Sequence, residues 1–425
     1  MRSRLLVVVL LVFLSSCAQK TQEEKSNPLL SIQLVDRHGF SETISAKERL
    51  SQYQNVDFFS PQSYQKVLRI YGRDSQGRTH SQLTNYHPNG QVSNFLEVVD
   101  GRAHGIYREW YENGQLKLEA TVIEGVADLS FIAQSSWLFE GKSQVWDDQG
   151  KCLAEIQYSK GALDGISKYY YSSGQLHKEI PYVQDEIEGV MSVYAADGTL
   201  REQIHYEKGL KQGEAIGLWG PEKIQYRETY EKDLLQKGVY FAEDGKQLSE
   251  VVNGSGKQAI FLLSDLRSVV EINKGAPNGL IQIFQDGGVL EREYSVRDGR
   301  KTGEETEFYP QNEEGKIVPR LLVTWHEDTL HGLVKTWYET GVMESQRELS
   351  ANKKQGLSFA WYRDGSLMLN EEYDNDKLIK GTYFKKGEKL PTSKIDDGTG
   401  TATLYDSWGK FLKKVNYEKG KPVFD

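Results

Sequence analysis

The chain has 425 residues, 61 of them acidic and 52 basic, for a formal net charge of −9. That balance, without a long basic run, excludes an electrostatic nucleic-acid footprint and argues against tight attraction to anionic lipid headgroups. Cys17 and Cys152 are the whole cysteine complement, so stability must come from packing rather than a disulfide framework.

Residues 1–16 place Arg2 and Arg4 before a continuous apolar run from Leu5 to Leu14, which leads into Ser15-Ser16-Cys17. A basic start, an apolar stretch too short to span a bilayer and small residues before a cysteine form the pattern of a bacterial lipoprotein signal peptide. Cleavage before Cys17, a diacylglycerol on its thiol and further acylation such as palmitate are therefore expected. Several chains on one residue anchor where a single chain is marginal. Ala18, rather than Asp, follows the cysteine, which resembles lipoproteins sorted to the outer membrane. The expected location is the bacterial cell envelope, at that membrane. Residues 17–28 read as the lipidated cysteine with a flexible polar tether, and residues 29–65 as an N-terminal cap lacking the pattern that follows.

Residues 66–425 repeat a phrase about every 24 residues. Copies begin at Gly105, Gly141, Gly165, Gly189, Gly213, Gly238, Gly279, Gly303, Gly332, Gly356 and Gly381. Each reads as a β-hairpin. Leu333-Val334-Lys335-Thr336-Trp337-Tyr338 is rich in strand-forming residues. A polar turn closing on glycine follows, as in Glu339-Thr340-Gly341, Glu112-Asn113-Gly114 and Arg363-Asp364-Gly365. In the second strand, Leu176, Ile180 and Tyr182 share one face while Gln175, His177 and Glu179 share the other. A second, glycine-containing turn is expected before the next hairpin.

One hairpin cannot bury its own apolar face, so self-similarity at this period implies stacking. The expected fold is all-β, an elongated solenoid or ribbon of stacked antiparallel β-hairpins. At ~4.8 Å per strand a unit adds ~10 Å, and a dozen units make a rod of roughly 120 Å. Residues 126–140 read as an insertion and 312–319 as a lengthening, while 238–256 and 381–400 are short units.

The phrase G-x(4)-[WY]-Y-x-x-G-x-L-x-x-E-x-x-Y-x-x-G-x-x-x-G resembles the MORN repeat, in its bacterial variant of YwqK-like antitoxin components. Gly105–Gly125, Gly165–Gly189, Gly332–Gly356 and Gly356–Gly381 match it best, with Trp110-Tyr111, Tyr170-Tyr171, Trp337-Tyr338 and Trp361-Tyr362 at the aromatic pair. The resemblance covers about three quarters of the chain. It implies a repeat architecture whose structural glycines include Gly105, Gly165, Gly189, Gly213, Gly332 and Gly356.

Candidate sites are few. The eight histidines are scattered without metal-ligand spacing, and His104 and His331, each preceding a repeat glycine, are expected in turns. Cys152 reads as a packed thiol. No catalytic set, cofactor or metal is expected, and the protein reads as a non-enzyme. Neighbouring residues of a strand face opposite sides. One member of each aromatic pair should therefore build the spine and the other form a ladder, making Trp110, Tyr111, Tyr170, Tyr171, Trp337, Tyr338, Trp361 and Tyr362 a candidate binding strip. A column of Glu119, Glu155, Glu179, Glu202, Glu250 and Glu371 reads either as a solvated face or as a docking strip for a basic partner. Two functions follow as expectations. The first is a membrane-anchored scaffold holding an envelope or effector protein, in an adaptor, immunity or antitoxin-like role. The second is a carbohydrate or cell-wall binding module that uses the repeated aromatics.

Overall fold

The computed structural model describes residues 28–262 and 265–423. The signal segment, Cys17 and nearly all of the tether lie outside the described residues. The chain divides into two compact units at Ala162/Leu163, inside the repeat array and without a break in its period. Both units are built from antiparallel strands, as expected. The described residues hold two short helices, Lys47–Leu50 and Phe131–Gln134, and none is long and apolar enough to cross a membrane.

In the first unit β1 (Leu29–Val35) pairs on one side with β2 (Ser41–Ile44) and on the other with β3 (Lys66–Arg73). Then β4 (Thr79–Tyr86), β5 (Val92–Val99), β6 (Arg102–Trp110), β7 (Leu116–Glu124), β8 (Leu138–Trp146) and β9 (Cys152–Ser159) follow, each beside its predecessor. Residues 29–65 thus extend the sheet. Their Ile32, Leu34, Ile44, Leu50 and Phe58 share one core with Val67, Tyr86 and Val92.

In the second unit successive strands from Gly165–Tyr170 to Lys421–Val423 add one beside the next. Its core takes about one residue from each strand in register. Met191 lies opposite Ile204, which lies opposite Ala215 on its other side, and all three are buried. Leu378, Tyr383, Ile395 and Ala402 continue the scheme near the C-terminus.

Two turn types alternate. The polar turns ending on glycine form as expected: in Tyr171–Gln175 the Tyr171 amide donates to the Gln175 carbonyl and the Gly174 amide to that of Tyr171, at 2.9 and 2.8 Å. The second turn holds glycine, as expected, in Asp100–Gly101, Lys208–Gly209, Lys274–Gly275 and Asp298–Gly299 among others. It is a two-residue hairpin loop with both residues in the left-handed region, and elsewhere it lacks glycine: Gln184–Asp185 (φ 49° and 70°), Glu327–Asp328 (47° and 65°) and Asn375–Asp376 (49° and 69°). This turn matches the right-handed twist of the strands it joins, and Asn and Asp tolerate the conformation.

The repeat glycines therefore do not occupy turns. Gly105, Gly213, Gly332 and Gly356 lie inside strands, and Gly165 and Gly189 open theirs. At Gly105 the register between β5 and β6 slips, so that His104, Gly105 and Ile106 face the single residue Glu97. The Glu97 carboxylate accepts from the Ile106 amide at 2.8 Å, and a Cβ on Gly105 (φ +116°) would lie 2.3 Å from that carboxylate. This β-bulge explains why only glycine serves at the position. His104 and His331 likewise lie in strands, correcting their expected place in turns.

Polar groups inside the sheet are held in clusters. Glu228, which is 5 % exposed, accepts from the Tyr230 and Tyr240 hydroxyls at 2.8 and 2.7 Å and from the Gln258 amide at 2.8 Å. Removing the carboxylate strands two buried phenols, each costing about 1–3 kcal/mol. Glu228→Ala is expected to destabilise the second unit by about 2–5 kcal/mol, whereas Glu250→Ala on an exposed position should change it by less than about 0.5 kcal/mol. Urea unfolding followed by circular dichroism checks both.

Candidate binding surface

The aromatic pairs straddle strand ends. Trp110, Tyr170, Trp337 and Trp361 close their strands, and Tyr111, Tyr171, Tyr338 and Tyr362 begin the polar turns. At each closing aromatic the pairing register also slips. Strict alternation consequently stops there, and the expected pair of opposite ladders does not form.

The second member of each pair reaches forward to the next hairpin. In the first unit the Tyr111 hydroxyl donates to the Trp146 carbonyl at 3.0 Å, and the His87 ring meets the Trp110 carbonyl at 2.8 Å. In the second unit Tyr171 donates to the Tyr194 carbonyl at 2.8 Å. Tyr309, Tyr338 and Tyr362 donate in turn to the carbonyls of Trp337, Trp361 and Phe384 at 2.7, 2.8 and 2.7 Å. Trp219 does the same with its indole N–H, 3.1 Å from the Phe241 carbonyl. Tyr338 and Tyr362 are buried, at 4 % and 0 % exposure, and burial pushes both phenols up to about 12. These residues stitch unit to unit. Trp110, Tyr111, Tyr170, Tyr171, Trp337 and Trp361 are half-buried; Trp361 stacks on Phe359 with centroids 5.8 Å apart, and Trp110 meets Phe59 at the same distance.

The two-residue turns carry a parallel clasp. The Asp376 amide donates to the Lys354 carbonyl at 3.0 Å while the Asp376 carboxylate accepts from the Lys354 amide at 2.8 Å. Asp185 with Leu163, Asp233 with Lys211, Asp328 with Lys301 and Asn352 with Leu330 repeat it. The Asp or Asn four or five positions before Gly189, Gly238, Gly332, Gly356 and Gly381 is its sequence signal, which the glycine spacing conceals.

The glutamate column is spent within the sheet. Glu119 pairs with Arg108 at 2.6 Å and Glu179 with Lys168 at 3.1 Å, each directly across a strand pair. Glu155 accepts from Gln144 at 2.8 Å, Glu371 from Tyr373 and Tyr383, Glu202 from Tyr226 and Glu250 from Gln247. It is not a free acidic docking strip. His104 is tied to the Ile123 carbonyl at 2.8 Å. Cys152 sits half-buried at the start of β9, where burial pushes its thiol up. Among the described residues no group of three or more His, Cys, Asp or Glu is arranged to hold a metal ion.

One exposed apolar display lies where the period breaks. The insertion at 126–140 packs onto the sheet, with Leu129 and Trp137 joining the core of Leu83, Leu96, Val98, Ala103, Tyr107 and Val122. Trp137 packs edge-on against Tyr107 at 4.7 Å and donates to the Val126 carbonyl at 2.9 Å, with Leu129 and Ala133 buried beside it. Ser130 caps the helix Phe131–Gln134, which leaves Phe131 and Ile132 exposed at 85 % and 82 %. No feature of the repeat pattern signals this display.

The MORN repeat variant matches four stretches of the chain, residues 103–123, 163–184, 187–208 and 330–349. The first spans β6 and β7 with the turn between them, and together the four support a MORN-repeat protein. No curated protein matches the chain. Among solved structures, one described as "Crystal Structure of TcdB2-TccC3-Cdc42" matches with 11% identity and a TM-score of 0.12, over 87% of this chain and 23% of that one. This chain thus spans less than a quarter of that structure's length, and a likeness at that score carries no argument.

Because the phenols of Tyr338 and Tyr362 are raised from the ordinary tyrosine value near 10, their contribution to stability is complete below pH ~10 and lost as pH rises towards ~12. Tyr338→Phe and Tyr362→Phe are each expected to cost about 1 kcal/mol near neutral pH. In an alkaline titration followed by phenolate absorbance, the double variant should lose part of the absorbance change that accompanies alkaline unfolding.

Proposed function

We propose that this chain is a non-enzymatic repeat scaffold that holds another protein at the bacterial cell envelope, anchored in the outer membrane through lipid on Cys17. An immunity or antitoxin-like hold on an effector is one form of this role, and an adaptor for an envelope protein is the other. The observation that carries the reading is the pair Phe131 and Ile132. The insertion buries Leu129, Ala133 and Trp137 yet keeps these two adjacent large apolar side chains in water. Side chains of this size, displayed together on a folded support, act as anchors at protein interfaces. The use of the polar columns inside the sheet supports a stable framework. The four MORN stretches support a repeat module of the interaction type. The anchor rests on the sequence: Arg2, Arg4, the apolar run and Leu14-Ser15-Ser16-Cys17.

Two experiments test the proposal. Crosslinking in living cells with tagged full-length protein is expected to recover one dominant protein partner, and Phe131→Ser/Ile132→Ser should reduce its recovery about tenfold, the effect of ~1.4 kcal/mol at an anchor. An unchanged recovery, with the double variant as stable as the parent, overturns the docking surface. Separately, Cys17→Ala is expected to move the protein from the membrane fraction to the soluble fraction. Retention in the membrane fraction overturns the lipid anchor.

A further inference from the structure

The aromatic stitches of the second unit are interrupted where the turn opens on another residue, as at Ala195, Ala242 and Gln285, and the first of these interruptions leaves a cavity. Tyr171, at the start of its turn, and Trp219, near the end of its strand, each donate forward to the next hairpin, and the corresponding residue between them is Ala195, followed by Ala196. The carbonyl of Trp219 is taken instead by the Arg201 guanidinium. Where a ring would lie, a cavity of about 730 Å3 opens, lined by both alanines and by Tyr171, Tyr194, Trp219 and Phe261. This is the size of cleft that accommodates small ligands, about 300–1,000 Å3.

Its aromatic walls are fixed by bonds to the main chain. The Tyr171 hydroxyl is 2.8 Å from the Tyr194 carbonyl and the Trp219 indole nitrogen 3.1 Å from that of Phe241. Phe261 stands edge-on to Trp219 with centroids 5.0 Å apart, and His177 lies against Tyr171 at 4.4 Å. Gly217 permits Tyr226 to lie flat on the sheet, since a Cβ there would come within 2.2 Å of the ring. Tyr226 in turn holds Glu202, one wall of the cavity. The polar lining carries both signs: Arg201, Glu202, Glu243 and Gln225, with Lys223 3.9 Å from Glu243.

This combination selects among ligand classes. A wholly apolar guest would cover Arg201, Glu202 and Glu243, whose single protein partners among the described residues (the Trp219 carbonyl, Tyr226 and Lys223) leave further donor and acceptor sites unused, at a desolvation cost. An anion meets Glu202 and Glu243, and a cation meets Arg201. A neutral pyranose offers flat C–H faces to the rings and a rim of hydroxyls that both donate to carboxylates and accept from a guanidinium. We infer that the Ala195 gap is a sugar-binding cleft for a short neutral oligosaccharide, with Trp219 as its stacking platform and Arg201 and Glu202 as its hydroxyl partners. This site is lined by none of Trp337, Trp361, Phe131 and Ile132.

The test is isothermal titration of purified full-length protein with the tetrasaccharides of glucose, N-acetylglucosamine and mannose. At least one is expected to bind saturably, and Trp219→Ala should weaken it by at least about tenfold, the effect of ~1.4 kcal/mol. Trp219 is also a stitch, so its loss alone does not separate binding from stability. Ala195→Tyr and Ala196→Trp do, because they fill the cavity: each is expected to abolish sugar binding while leaving the melting temperature equal to or above that of the parent. Phe131→Ser/Ile132→Ser should bind sugar as the parent does, which distinguishes failure of this cleft from failure of the protein-docking surface. Saturation by none of the three tetrasaccharides, or undiminished binding by both filled variants, overturns the proposal.

Discussion

A repeated hairpin leaves its outgoing strand with a main-chain carbonyl that the ladder within the hairpin does not use, and each unit depends on its neighbour to satisfy it. The phenol at the head of the polar turn meets this need, as Tyr338 does for Trp361 and Tyr362 for Phe384. At the opposite edge of the sheet the Asp and Asn clasps join the two-residue turns in the same direction. Both devices link a unit to the one beside it along the sheet, so order propagates between nearest neighbours. The aromatic pair that resembles a display from its spacing is in consequence a joint.

The same economy governs the charged groups. Cross-strand pairing places Arg108 against Glu119 and Lys168 against Glu179, and buried Glu228 collects two phenols and an amide. A repeat that pairs these charged groups internally makes a regular framework. The departures from it include an insertion that lifts Phe131 and Ile132 into solvent, and an alanine pair that removes a ring from the stitch column. Both change the surface while the ladder around them continues, so the framework that presents them is unaltered.

The resemblance between units also hides differences. The division at Ala162/Leu163 falls between two ordinary copies of the phrase, since compactness reflects how neighbouring side chains fill space and not the period itself. The glycines show a related limit. Their spacing marks the unit length correctly, but a glycine required by a bulge opposite Glu97 or Glu271 looks the same in sequence as one required by a turn.

Read alone, the sequence determined the strand content, the unit length, the polar glycine turns and the antiparallel hairpin order, because period-two alternation and left-handed turn residues are local properties of the chain. It also placed Trp110, Tyr171, Trp337 and their neighbours as recurrent positions. Only the tertiary structure decided what those positions do. Whether Tyr338 is a ladder rung or a stitch depends on a carbonyl 23 residues away, and whether Ala195 is a neutral substitution or the floor of a cleft depends on rings from three other strands and turns. Such distances are set by twist, register slips and bulges that accumulate across strands, and the spacing of residues within one unit does not encode them.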